Sequence, residues 1–178
     1  MQLNLQTYLC YSLTCGVVPY EPAQVRNTLQ HLLLMQGNPS YMTSESSVVV
    51  HTSLGIIEGF ESSTPRGDVG VFLGIPYAQP PVGELRFKRP VPIQPWKGCL
   101  KCKKYKKRAP QIDHFWDRLM LKVGKSEDCL YLNIVAPRWK CPEEQGNGFA
   151  VMVYIHGGGY LVDSAVFYHY SKLKRTFF

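Results

Sequence analysis

Residues 150–160, AVMVYIHGGGY, most constrain what this chain can fold into, because an apolar run of strand length feeds directly into three consecutive glycines. Val151, Val153 and Ile155 alternate with Met152, Tyr154 and His156. Both faces of the run are therefore largely apolar, the pattern of a central strand covered on two sides. Fully burying Val151, Val153 and Ile155 would contribute about 1.5–3 kcal/mol each, so the run is expected to anchor a core. Gly157, Gly158 and Gly159 then remove every side chain where the strand ends. That arrangement permits positive φ and lets backbone N–H groups approach a ligand closely.

The chain upstream reads as further strands joined by rigid, irregular connections. Residues 48–60 are rich in β-branched side chains around Thr52-Ser53-Leu54-Gly55, which predicts a hairpin with Gly55 in the turn. Residues 69–77 and 130–135 are two more strand candidates, the second closed by Pro137. Between them Pro76, Pro80 and Pro81 force extended backbone and forbid a helix. Ile112, Phe115, Trp116, Leu119 and Met120 fall at helical spacing, with Asp113 near the start and Gly124 after the end, and predict one short amphipathic helix. Residues 142–148 read as a polar turn ahead of the central strand. Adjacent buried strands joined in this way fit an open mixed sheet of α/β class rather than a helical bundle.

The first 46 residues read as an appendage. A helix is expected over 21–36, with Pro22 in its first turn, Val25, Leu29, Leu32 and Leu33 on one stripe, and Gly37 and Pro39 ending it. Tyr8, Tyr11, Thr14 and two cysteines interrupt the mildly apolar start, and Lys and Arg are absent before Arg26, so it makes no convincing signal peptide. No run of about 18 apolar residues suggests a transmembrane helix. The formal charge is +7, but Lys101, Lys103, Lys104, Lys106, Lys107 and Arg108 supply six of those charges, so the basicity is local. A polyanion-binding patch is the functional reading of this run, and a solvated loop is the simpler one. Tyr105 is its only aromatic and no recognition fold accompanies it, so no nucleic-acid partner is expected. Cys99-x-x-Cys102 has no second CxxC or His-x-His partner, so no metal site is expected.

Four separated phrases carry a resemblance. They are FLGIPYAQPPVGELRFKRP at 72–90, the Trp96-Lys97-Gly98 step, SEDCLYLNIVAP at 126–137, and the run ending in HGGGY. Over residues 48–166 the chain resembles the amino-terminal part of the type-B carboxylesterases, the family that includes the cholinesterases. Residues 1–46 and the terminal YSKLKRTFF carry no such resemblance. The likeness implies an α/β-hydrolase fold, a small carboxylic ester as substrate, a serine nucleophile and no cofactor. It makes Gly158 and Gly159 the oxyanion donors, since His-Gly-Gly-Gly after a strand is the oxyanion-hole phrase of esterases. It pairs Arg86 with Glu127. It also places a disulfide on Cys129, whose usual partner position holds Ala109 here, leaving Cys102 as the nearest replacement and Cys99 as the second. A secretory-pathway location follows from the same likeness.

His156 is not expected to be the base, because in this fold the base follows the nucleophile in chain order. Asp163 departs from the small residue common at its position, and Ser164 matches a serine that is not the nucleophile. A nucleophile elbow needs glycine two residues before and two after the serine. Ser126 has Gly124 behind it but Asp128 ahead, and Ser53 has Gly55 ahead but His51 behind. No serine satisfies both. The expectation is therefore an incomplete α/β-hydrolase domain over 47–178 that lacks catalysis by itself and, without later strands against its central one, is weakly stable. A non-catalytic, cholinesterase-like adhesion protein is the alternative.

Overall fold

Two short Thr-x-x-Gly turns shape the start of the fold. In a computed structural model, which describes residues 46–113, 123–140 and 148–178, Thr52 Oγ1 accepts the N–H groups of Leu54 and Gly55 and donates to Gly55 O. Thr64 Oγ1 likewise accepts the Arg66 N–H and donates to Gly67 O. Gly55 and Gly67 take φ of 146° and 137°, which β-branched residues disfavour. These turns join β1 (Ser47–Thr52), β2 (Gly55–Thr64) and β3 (Gly67–Pro76) into an antiparallel meander. The predicted hairpin and the strand after it are thus formed, and the second turn, STPRG, carries the same signal as the first.

Beyond β3 the proline-rich segment runs irregularly, with one 3-10 turn at Gly83–Leu85. Trp96 then lies against the first turn: its indole occupies the space a Gly55 side chain would need, and its Nε1–H donates to Ile56 O at 3.0 Å. The short β4 (Cys99–Lys101) pairs parallel with β2 at Ile56, Ile57 and Glu58. Where β2 and β3 splay apart, Cys102 bridges them, its N–H donating to Glu58 O and its carbonyl accepting the Leu73 N–H, both at 2.7 Å. β5 (Tyr131–Pro137) closes the described sheet antiparallel to β3, giving the order β1-β2-β3-β5 with β4 on β2. Gly74, at φ 76°, forms the bulge between Leu73 and Ile75, and its N–H donates to Asn133 Oδ1 at 2.9 Å.

Strand alternation puts apolar clusters on both faces. One holds Phe60, Val69, Val71 and Leu73, and the other holds Ile57, Phe72 and Cys102. The carboxyl-terminal α1 (Tyr170–Phe177) lies on the first face. Tyr170 meets the Phe60 ring edge-to-face at 5.3 Å, and the Tyr170 N–H donates to the Tyr105 hydroxyl at 2.8 Å. The described residues are mainly antiparallel sheet with this one α-helix. The expected helix over 21–36 lies outside them, as does the polar turn at 142–148 apart from Gly148. So does most of the expected 112–120 helix, of which Ile112 is described and exposed.

Two expectations are corrected. Residues 150–156 are not a strand: no strand among the described residues pairs with them, and Val151, Met152 and Ile155 are exposed. An apolar two-faced run forms a central strand only with ladder partners on both edges and cover on both faces. The basic run is not simply a solvated loop either. Its first part belongs to β4, Lys103 pairs with Glu58 at 2.5 Å, and Arg108 is buried.

Arg108 makes a bidentate pair with Asp113, at 2.8 and 3.2 Å, and its Nε–H donates to Val123 O. Lys125 approaches the same carboxylate at 3.0 Å. Hydrogen bonds from Arg108 and then Lys125 hold the Asp113 carboxyl down at about 2, from an ordinary 3.8. The unfolded chain therefore binds this proton more readily. The stabilisation is fully present above pH about 4 and is lost as pH falls through about 2. Urea denaturation across that window should show Asp113→Asn with a shallower loss of stability than the parent. Equal pH slopes in the two proteins would rule out this coupling.

Candidate active site

The glycine loop turns tightly after residue 156. Gly158 and Gly159 take φ of 101° and 59°, and Tyr160 follows at 61°. Gly158 O accepts the N–H groups of Leu161 at 3.0 Å and Val162 at 3.2 Å, folding the loop back on itself. A Cβ on Gly158 would stand 2.0 Å from Val162 O, so only glycine fits there. Around Gly157 and Gly159 the corresponding space is open. Among the described residues no acceptor takes the N–H of Gly158 or Gly159. Two successive amide donors without an internal acceptor are available to an anion.

The turn is held by residues that sequence reasoning had not assigned a role. Asp163 sits at φ 83°, its Oδ1 accepts the Ser164 N–H at 2.6 Å, and its Oδ2 accepts the Tyr168 hydroxyl at 3.2 Å. Gln111 Nε2–H donates to Asp163 O at 2.9 Å, and Lys125 Nζ donates to Gln111 O at 2.8 Å. This links the loop to the Arg108–Asp113 pair. The Tyr154 and Tyr168 rings lie 4.4 Å apart at the neck of the loop. Burial, then the hydrogen bond with Tyr154 and the nearby Asp163 charge, push the Tyr168 phenol well above its ordinary range. The Asp163 departure was visible in sequence, but its bonds to Tyr168 and Gln111 were not, because they depend on how 111 and 168 fold back.

His156 is exposed, with Nδ1 3.0 Å from Gly157 O. Away from the loop, Arg86 Nε lies 2.6 Å from Glu127 Oε1, with the two side chains 54% and 39% exposed. At that exposure the pair links the proline-rich segment to the approach of β5 with little net energy. The expected Cys102–Cys129 disulfide is corrected, since both are free thiols, as is the exposed Cys99. Cys102 is fully buried because its backbone bonds to β2 and β3 turn its sulfur into the Ile57–Phe72 cluster. That burial pushes its thiol up to about 11. Cys129 is half-buried ahead of β5. Among the described residues no group of three or more His, Cys, Asp or Glu is placed to hold a metal ion, and no helix is long and apolar enough to cross a membrane.

Comparison with known proteins places the same segment in one family. The model of the carboxylesterase family matches residues 46–177, which extends through α1 and beyond the 48–166 expected from the phrases. The chain is 40% identical over 124 residues to a juvenile hormone esterase of Heliothis virescens, covering 68% of this chain and 22% of that protein. It is 36% identical over 132 residues to an acetylcholinesterase of Leptinotarsa decemlineata, covering 66% and 21%. To carboxylesterase 5A of Mus musculus it is 41% identical over 133 residues, covering 69% and 22%. The chain thus spans between a fifth and a quarter of the length of these relatives. With the match running from β1 through the glycine loop to the terminal helix, the chain belongs to the type-B carboxylesterase family, the cholinesterase-like group.

Proposed function

We propose that this chain carries the oxyanion-binding part of a serine-dependent hydrolase of small carboxylic esters, built on an incomplete α/β-hydrolase fold. The observation that carries the reading is the left-handed turn at Gly158 and Gly159, whose two N–H groups have no acceptor among the described residues. When a serine oxygen attacks an ester carbonyl, its oxygen becomes an anion. Donors fixed in advance for that anion stabilise the transition state more than the substrate, each by about 2.7–4 kcal/mol. Gly158 and Gly159 take that role. The meander of β1 to β3 and the Arg86–Glu127 pair act as framework.

The 178 residues include no serine with glycine on both sides at the elbow spacing. A hydroxyl without a neighbouring base is a weak nucleophile, so these 178 residues by themselves supply oxyanion donors without an attacking group. The purified chain should therefore leave a short activated ester at its uncatalysed rate and should take up no organophosphonate label on any serine. Turnover together with one labelled serine would overturn the assignment of a donor loop without its nucleophile.

A further inference from the structure

The residue that closes the glycine loop is charged, left-handed and unusually well bonded. Asp163 is neither glycine nor asparagine, yet it stands at φ 83°. Its Cβ lies 3.0 Å from the position a Gly158 Cβ would take, so Asp163 stands beside Gly158 across the turn. One carboxylate oxygen takes the Ser164 N–H and the other takes the Tyr168 hydroxyl, while its carbonyl takes Gln111 Nε2–H. Tyr168 packs on Tyr154, which precedes the loop. The carboxylate therefore joins both sides of the loop neck.

We propose that Asp163 is a positioning residue for the oxyanion donors: its carboxylate holds the loop exit against Tyr168 and Ser164, and thereby fixes the direction of the Gly158 and Gly159 N–H groups. This rests on reading the loop as an oxyanion site. The mechanical route is short. Asp163 follows Val162, whose N–H closes on Gly158 O, and releasing Asp163 frees Val162 and Leu161 to leave that carbonyl. Gly158 then loses both bonds that set its peptide plane.

Hydrogen exchange of the 178-residue chain, read residue by residue by NMR, separates this role from general stability. Glycine takes φ 83° without strain, so Asp163→Gly removes the carboxylate bonds without a steric penalty, and Asp163→Asn controls for the backbone freedom that glycine adds. In that variant the Leu161 and Val162 amides should exchange about tenfold faster, the effect of losing a hydrogen bond to a charged group. The Gly158 and Gly159 amide resonances should shift, while β2 and β3 amides keep the parent's protection. Asp163→Asn, which tolerates the same φ, keeps an acceptor for the Ser164 N–H and has an amide N–H to donate to the Tyr168 oxygen, should recover most of the slow exchange. Unchanged Leu161 and Val162 exchange in Asp163→Gly, failure of Asp163→Asn to restore it, or loss of protection throughout β2 and β3, would each overturn the proposal. Ester turnover does not enter the measurement, so a failed esterase assignment and a failed positioning role give different results.

Discussion

Replacing Gly59 by alanine is expected to destabilise the sheet by about 3 kcal/mol or more. A Cβ at Gly59 would stand 2.2 Å from Val71 O and 2.6 Å from the Phe72 ring. The ring could turn, but the carbonyl belongs to the backbone of a central strand and cannot yield without breaking the β2–β3 ladder. The position explains the constraint. β2 is flanked by β1 from residue 55 to 60 and by β4 at 56 to 58, and β3 takes over as its neighbour at Phe60. Gly59 sits at that handover, where Val71 O crosses close to β2. Overpacking a well-filled interior commonly costs about 1–3 kcal/mol, and a backbone obstacle places this case at or above the upper end. Stability of a whole domain is only about 5–15 kcal/mol. Circular dichroism with urea denaturation should show Gly59→Ala with a midpoint far below the parent's. A midpoint within error of the parent would show that β3 can shift to admit the methyl group.

That glycine was not singled out from sequence, and the reason separates the readable features from the hidden ones. Turn chemistry is local: Thr52-x-x-Gly55 announces a hairpin because the threonine hydroxyl and the glycine φ act within four residues. The apolar run that marks 69–77 as a strand is equally local, and the bulge at Gly74 leaves most of its pairing intact. Gly59, by contrast, matters only because Val71 and Phe72 pass beside it, which is a tertiary fact.

The same distinction explains the errors. Residues 150–156 have the composition of a central strand, but a strand exists by its ladder, and no described segment supplies one. The basic run looked solvated because six cations stand together, yet β4 pairs its first residue with β2 and Asp113 draws Arg108 inside. The terminal segment hid a helix because Tyr170 and Leu173 repeat over little more than two turns, too short for a periodic signal. Within the candidate site, the glycines were legible as a motif, whereas the clamp of Asp163, Tyr168 and Gln111 arises from side chains brought together by folding.

Phe60→Ala is expected to destabilise the chain by about 3–5 kcal/mol, the range for emptying a phenylalanine site in a core. Phe60 is 3% exposed and stands where three elements meet, opposite Ser47 on β1 and Val71 on β3 and edge-on to Tyr170 of α1. Its loss opens a void that the sheet cannot close, because Val69, Val71 and Leu73 are fixed by their own ladder. The helix, whose amino-terminal N–H is held by Tyr105, loses its ring partner at the same time. Burial pushes the Tyr105 phenol up to about 12, and with Phe60 gone water reaches it and its titration falls back towards 10. Val49→Ala provides the control on the neighbouring strand: Val49 is 51% exposed, and its truncation should stay within about 0.5 kcal/mol. Urea midpoints and NMR titration of Tyr105 test both parts together. A Phe60→Ala chain no less stable than Val49→Ala, with Tyr105 still titrating near 12, would show that α1 and the sheet do not share a core at this ring.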